Sequence, residues 1–267
     1  MTHTKPWRIV LAGTGNVAWH LGHAFLRKGM EITQVVGRTG TAVRNLAEEL
    51  QARCTGEPSD MIPDADVCLI CITDDNIRQV LEKLKPGNCL CIHTAGSVSM
   101  NVFEGLARNY GVFYPLQTLT RDRPVNYETM PVLIEANNPE NLRFIRLIAE
   151  QISGRVVDAD SRQRLFLHLA AVFAGNFTNH MFSVAERLAQ QHGLSFELLN
   201  PLMEETTAKA IALSPKLAQT GPASRGNRKI MDMHLSLLHD QPGLQELYRL
   251  ISESIMRDKG RETRDES

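Results

Sequence analysis

The chain has 267 residues, enough for two domains that each bury a core. Its 29 Lys and Arg nearly cancel 30 Asp and Glu, so no broad basic face for nucleic acid or lipid is expected, and any anion site must be local. No apolar run approaches the ~18 residues of a membrane span, and the apolar start "IVLAG" is too short for a secretory core, which makes a cytoplasmic protein the expectation.

Up to about residue 158, short β-branched runs alternate with helical stretches, the pattern of an α/β domain with a mostly parallel sheet and crossover helices. The first predicted strand, 7–12 ("WRIVLA"), runs into Gly13-x-Gly15-x-x-Ala18 and then an amphipathic helix. Gly13 permits a tight turn, Gly15 removes a side chain that would block a pyrophosphate, and Ala18 is small enough for close helix-sheet packing. The phosphates would rest on backbone N–H groups at the helix start, so Gly13, Thr14, Gly15, Asn16, Val17 and Ala18 form the expected cofactor loop of a Rossmann-like domain. The other reading is a purely structural glycine turn. Flavin and S-adenosylmethionine proteins share such loops, and the second strand decides among them.

That strand, 31–37, ends in "VVGRTGT". NAD, flavin and S-adenosylmethionine sites usually have an acid here to accept hydrogen bonds from ribose hydroxyls. Between Gln34 and Arg44 the only charged residue is Arg38. An arginine at this point can contact a 2'-phosphate through two charge-assisted bonds, with Thr39 beside it, so NADP is the expected cofactor. The alternative is an exposed loop arginine that touches nothing.

A helix is predicted over 41–51 and strands near 52–55 and over 66–72. The second of these strands holds Cys68 and Cys71 as a C-x-x-C, but their odd separation sends the thiols to opposite faces. The five cysteines, at 54, 68, 71, 89 and 91, read as small buried hydrophobes, not as metal or redox ligands. Ligands of open parallel sheets cross the carboxyl ends of the strands. After 66–72 come Thr73, Asp74 and Asp75; Thr73 and Asp74 are expected at the cofactor, and a helix-cap role for either aspartate weighs equally and can coexist. Strand 88–93 ends in His93, Thr94, Ala95 and Gly96. The last three are cofactor contacts in this reading, and His93 is either a donor to cofactor or substrate or a structural histidine. Strand 111–114 leads to Gln117, a candidate substrate contact. Strand 131–135, a helix over 139–152 capped at Asn138-Pro139, and strand 155–158 complete the first domain, 1–158.

From Ser161 the strand signal stops, and 159–267 reads as an all-α domain. One long helix is predicted over 161–192, opened by Asp160 with Gln163 three residues on and closed by Gly193. Helices follow at about 195–213, 227–239 and 242–256, and "MRDKGRETRDES" reads as a solvated tail. On an ideal helix His168, Val172, Asn176, Asn179 and Ser183 fall within an arc of about 80°. If that stripe faces a cleft, His168 is a general acid or orienting donor for a carbonyl or imine receiving hydride, and Asn176 holds the substrate or the nicotinamide amide. If not, it is a helix-helix hydrogen-bond network or a wet dimer seam. In "TGPASRGN", Arg225 can hold a substrate carboxylate, yet Thr220-Gly221-Pro222 also reads as a helix stop and Asn227 as an N-cap. His20 and His234 read as packing or surface residues. No cluster has metal-ligand spacing.

In this order, "GTGNVAWHL", "VVGRT", "CITDDNI", "HTAGSVS", "YPLQTLT", "HLAAVFAGNF" and "TGPASRGN" resemble a bacterial family with a Rossmann-like N-terminal half and a helical C-terminal domain of unknown function, over residues 7 to 256. That family is similar in architecture to pyrroline-5-carboxylate reductase, to the deazaflavin-dependent NADP reductases and to the β-hydroxyacid dehydrogenases. The resemblance implies an NADP-type cofactor fold, a helical second domain that often forms a homodimer, and an oxidoreductase without an assigned substrate. Two departures limit it. The β-hydroxyacid dehydrogenases use a catalytic lysine on the first long helix after the Rossmann half, and 161–192 contains none; the last motif usually carries an acid where this chain has Asn227. The expected function is an NADP-dependent oxidoreductase acting on a small polar carbonyl or imine metabolite. The rival is a non-catalytic NADP-binding or ligand-sensing protein; a methyltransferase is disfavoured by Arg38.

Overall fold

The computed structural model describes residues 6–38, 40–62, 64–84 and 86–265, with side chains described through Lys259. All eight predicted strands form: β1 (Arg8–Ala12), β2 (Glu31–Val36), β3 (Arg53–Thr55), β4 (Val67–Ile70), β5 (Leu90–His93), β6 (Asn109–Pro115), β7 (Pro131–Ala136) and β8 (Arg155–Asp158). They make one sheet in the order β3-β2-β1-β4-β5-β6-β7-β8. Neighbours from β3 to β6 are parallel, β6 and β7 are antiparallel, and β8 is parallel to β7. The reversal has a local cause. Residues 116–130 contain no helix to carry the chain back along the sheet, so β7 can pair with β6 only by returning in the opposite direction. The connection therefore stays at the carboxyl edge of β6, the same edge at which β1 delivers its glycine loop.

Helices α1 (Asn16–Arg27), α2 (Thr41–Glu49), α3 (Ile77–Lys83) and α4 (Pro139–Ile152) cover both faces. Leu21, Phe25, Leu46 and Ile145, from α1, α2 and α4, pack with Phe113 on one face. Ile77 and Leu81 of α3 pack with Phe103, Val10, Ile70 and Cys91 on the other. Burial on both sides explains why β1 and β4 are continuous apolar runs. Cys68 and Cys71 fall in opposite cores, as their spacing predicts. Burial pushes the Cys71 thiol up to about 12, and a hydrogen bond with Cys91 followed by burial raises that of Cys68, so both stay protonated. Asn138 caps α4 as expected, accepting from the Asn141 N–H at 2.8 Å.

After β8, α5 (Ser161–Ala171) opens with the predicted capping box: Gln163 N–H to Asp160 Oδ1 at 2.8 Å and Asp160 N–H to Gln163 Oε1 at 3.0 Å. The predicted single helix is interrupted by a π-helical turn, Val172–Phe177, before α6 (Thr178–Gln191). The Thr178 hydroxyl donates to the Phe173 carbonyl five residues back at 3.1 Å, and Gly175 has low helix propensity, two features that favour a widened turn. Helices α7 (Asn200–Leu213), α8 (Pro215–Ala218), α9 (Arg228–Leu237) and α10 (Pro242–Asp265) follow, and Asn227 caps α9 through the Ile230 N–H. The segment expected as a solvated tail is helical, and its residues 257–259 are exposed. Helix α10 continues to Asp265, because the segment holds no proline and mostly good helix formers, and extension adds one backbone bond per residue. The chain divides into two compact units, Met1–Met181 and Phe182–Ser267.

Candidate active site at the carboxyl edge of the sheet

At the end of β1, Gly13 has φ +122°, and a Cβ there would lie 2.1 Å from the Cys71 carbonyl oxygen. No other residue fits. Its N–H is held by the Val36 carbonyl at 2.8 Å, which ties the loop to β2. At Gly15 the situation is the reverse: a Cβ would meet nothing within 4 Å, and α1 begins there without a side-chain cap. The N–H groups of the first turn are thus left for an anion, while Ala18 is fully buried beneath them. Thr14 and Asn16 are engaged elsewhere, since the Thr14 carbonyl accepts from Arg121 at 2.6 Å and Asn16 Nδ2 donates to the Leu119 carbonyl at 2.9 Å. A tight turn, an open Cα face and an uncapped helix start fit a dinucleotide pyrophosphate. Arg38 is exposed beyond β2, and α2 also starts without a side-chain cap at Gly40. Thr39 lies outside the described residues.

Beyond β4, Thr73 and Asp74 are exposed, with Asn76 Nδ2 donating to Thr73 Oγ1 at 2.6 Å. No side chain caps the 3-10 turn Asp74–Asn76 or α3; Asp74 instead accepts a short hydrogen bond from Ser97. Beyond β5, Thr94 Oγ1 donates to the Ile70 carbonyl at 3.4 Å, and the Ala95 N–H donates to His93 Nδ1 at 3.2 Å. His93 is fully buried and stacks on Phe103 with ring centroids 5.6 Å apart. Its Nε2 has no hydrogen-bond partner of normal geometry. Burial, helped by the Arg164 cation and weakly opposed by the Ser99 backbone, lowers its pKa to about 3, so the ring is neutral.

At Gly96 a Cβ would fall 2.7 Å from His168 Nδ1 and 2.8 Å from Tyr114 Cζ. The missing side chain lets these two rings meet, edge to face, with Tyr114 Oη and His168 Nδ1 3.0 Å apart. Burial raises the Tyr114 pKa, the Asp74 charge raises it further, and the Arg164 cation works against both. The pair is oriented by the start of α5. Arg164, 1% exposed, forms an ion pair with Glu135 of β7 at 2.5 Å and donates to the Val98 carbonyl at 2.6 Å. Ser161 donates to the same carboxylate at 2.8 Å and accepts from the Met100 N–H at 3.0 Å. These bonds fix α5 against β7 and the 97–100 turn, and His168 follows two helical turns after Ser161.

Of the residues singled out from sequence, Gly96 and His168 come together, with Asp74 close enough to act on their partner Tyr114. Asn176 is exposed on the π-helical turn, whose larger number of residues per turn breaks the ideal 100° spacing of the polar stripe. Gln117 is exposed and its Oε1 accepts from the adjacent Thr118 N–H at 2.8 Å. Arg225 is exposed in the second unit, between Gly221 and Gly226, both at positive φ. Sequence reading missed Tyr114, Glu135, Arg164 and Arg121. A signal existed for Glu135: an acid inside the apolar strand "PVLIEA" requires a cation or a way out to water.

Residues 8–92 match the model of a family described as NADP oxidoreductase, coenzyme F420-dependent, and residues 130–255 match DUF2520, a domain of unknown function. A crystal structure titled "putative NADP oxidoreductase", from Bacteroides fragilis, is 42% identical over 94% of this chain and 98% of its own, with a TM-score of 0.88. This chain belongs to the same family. Its members' fold is that of the NADP-type oxidoreductases. An imine reductase from Myxococcus stipitatus, solved with NADP+, shares the fold at 17% identity, covering 94% of this chain and 92% of that one, with a TM-score of 0.62. A pyrroline-5-carboxylate reductase from Coxiella burnetii shares it at 18% identity over 94% and 97%, with a TM-score of 0.57. No curated protein matches the chain. Among the described residues no helix is long and apolar enough to cross a membrane.

Proposed function

We propose that the protein is an NADP-dependent oxidoreductase, active as a homodimer, that moves hydride to or from a small polar carbonyl or imine compound. The observation that carries this reading is the Tyr114–His168 pair, drawn together across Gly96 on the sheet edge where the glycine loop opens. A nicotinamide dinucleotide held by Gly13–Ala18 would supply or accept the hydride. This chain's own residues handle the proton. Burial and the Asp74 charge keep the Tyr114 hydroxyl protonated at neutral pH, so Oη can give its proton to a carbonyl oxygen or imine nitrogen that is being reduced. His168 Nδ1, in hydrogen-bond contact, can return a proton to Oη, and its half-buried ring is open to resupply. With no lysine between 161 and 192, proton transfer falls to this pair. The absence of an acid after β2, with Arg38 in its stead, supports selection of the 2'-phosphate. The exposed leucines and isoleucines of the second unit support the homodimer.

The test is a titration of the purified protein with NADPH and with NADH, followed by the fluorescence of Trp7 and Trp19. Arg38→Ala is expected to weaken NADPH by about 10- to 100-fold and to leave NADH nearly unchanged. Equal loss for both would assign Arg38 to a shared contact, and binding of neither by the wild type would overturn the reading. NADPH binding without turnover of any imine or carbonyl compound would make the protein a nucleotide-responsive binder.

A further inference from the structure

Residues 116–130 form a strap that turns back from β6 onto the glycine loop. Three consecutive residues are fastened there: the Leu119 carbonyl to Asn16 Nδ2, the Thr120 carbonyl to His20 Nε2 at 3.0 Å, and Arg121 to the Thr14 carbonyl. Tyr127 adds a fourth tie, donating to the His20 carbonyl at 3.0 Å. His20, 2% exposed, is therefore a fastener of the strap. Arg121 is different. A guanidinium has five donors, and among the described residues Arg121 makes one hydrogen bond, to a neutral carbonyl. None of the ion pairs among the described residues involves Arg121, and its side chain is exposed. Among the described residues no carboxylate pairs with its charge, which stands against the backbone of the cofactor loop.

The loop needs such a charge. A pyrophosphate bridge carries two negative charges, whereas a helix N-terminus offers about half a positive one. The stretch "GTGNVA" contains no cationic residue. We propose that Arg121 is a cofactor-binding residue, delivered by the strap to the pyrophosphate of a dinucleotide seated on Gly13–Ala18. The proposal rests on the nucleotide-binding reading above, and it assigns Arg121 to the part of the ligand that NADPH and NADH share, in contrast to Arg38.

Arg121→Gln keeps a side-chain N–H donor but removes the charge. It is expected to weaken NADPH and NADH alike, by about 10-fold each, and to flatten the salt dependence of both dissociation constants relative to the wild type. Arg121→Lys, which keeps the charge, is expected to bind both within a few fold of the wild type. If Arg121→Gln binds both nucleotides as tightly as the wild type, with the same salt dependence, Arg121 only fastens the strap and the proposal fails while the function stands. If the wild type binds neither nucleotide, both fall together.

Discussion

Gly96 shows how much of the site depends on one absent side chain. An alanine Cβ would overlap His168 Nδ1 at 2.7 Å and Tyr114 Cζ at 2.8 Å, so at least one ring must move. Neither ring is needed to build the pyrophosphate loop. Gly96→Ala should therefore retain NADPH binding and lower turnover by about 100-fold, the cost of misplacing a reacting group by about 1 Å. Paired titration and NADPH-oxidation assays check this, and an equal loss in both would tie Gly96 to cofactor binding instead. Gly96 was legible in the sequence as a small residue after a strand and an expected cofactor contact. Its reason for being glycine lies in two rings, 18 and 72 positions further along the chain, that only the fold brings to it.

The end of β5 is the element that links core and site. His93 fills it as a neutral ring, and the physical consequence is a dependence of stability on pH. The folded state holds its pKa at about 3, while an unfolded histidine titrates near about 6.5. Between these values the unfolded chain takes up a proton that the folded protein refuses. The stabilising contribution is complete above about pH 6.5 and is lost as the pH falls toward 3, with a slope of up to about 1.4 kcal/mol per pH unit. His93→Asn keeps an acceptor for the Ala95 N–H and cannot titrate. Its urea midpoint should vary less between about pH 7 and pH 4 than that of the wild type. The neighbouring elements were read well from sequence, because short β-branched runs, the Asn138-Pro139 cap and the Asp160/Gln163 box are local signals. The π-helical turn and the continuation of α10 were not, because a helical pattern does not record a widened turn or a weakly opposed extension.

On the scale of the whole molecule, the helices of the second unit leave much apolar surface in water. Ile211 is 82% exposed, Leu217 74% and Leu237 71%, while Ala223, Met231 and Leu238 are its buried apolar residues among those described. Burying one such leucine or isoleucine contributes about 1.5–3 kcal/mol, so a partner covering several would outweigh much of the cost of association. Sedimentation is expected to give twice the chain mass of 29.8 kDa. Ile211→Asp combined with Leu217→Asp should shift the protein to the monomer and lower its melting temperature; a wild-type monomer would rule the dimer out.

The sequence by itself determined the glycine loop, the arginine after β2, the eight strands and the caps at Asn138, Asp160 and Asn227, because each depends on residues a few positions apart. Tertiary structure alone decided which distant side chains meet. The Glu135–Arg164 pair, the Tyr114–His168 contact and the return of Arg121 to Thr14 join residues 29, 54 and 107 positions apart. No local pattern encodes such pairings, since they follow from strand order and from the one antiparallel step that keeps residues 116–130 on the carboxyl edge.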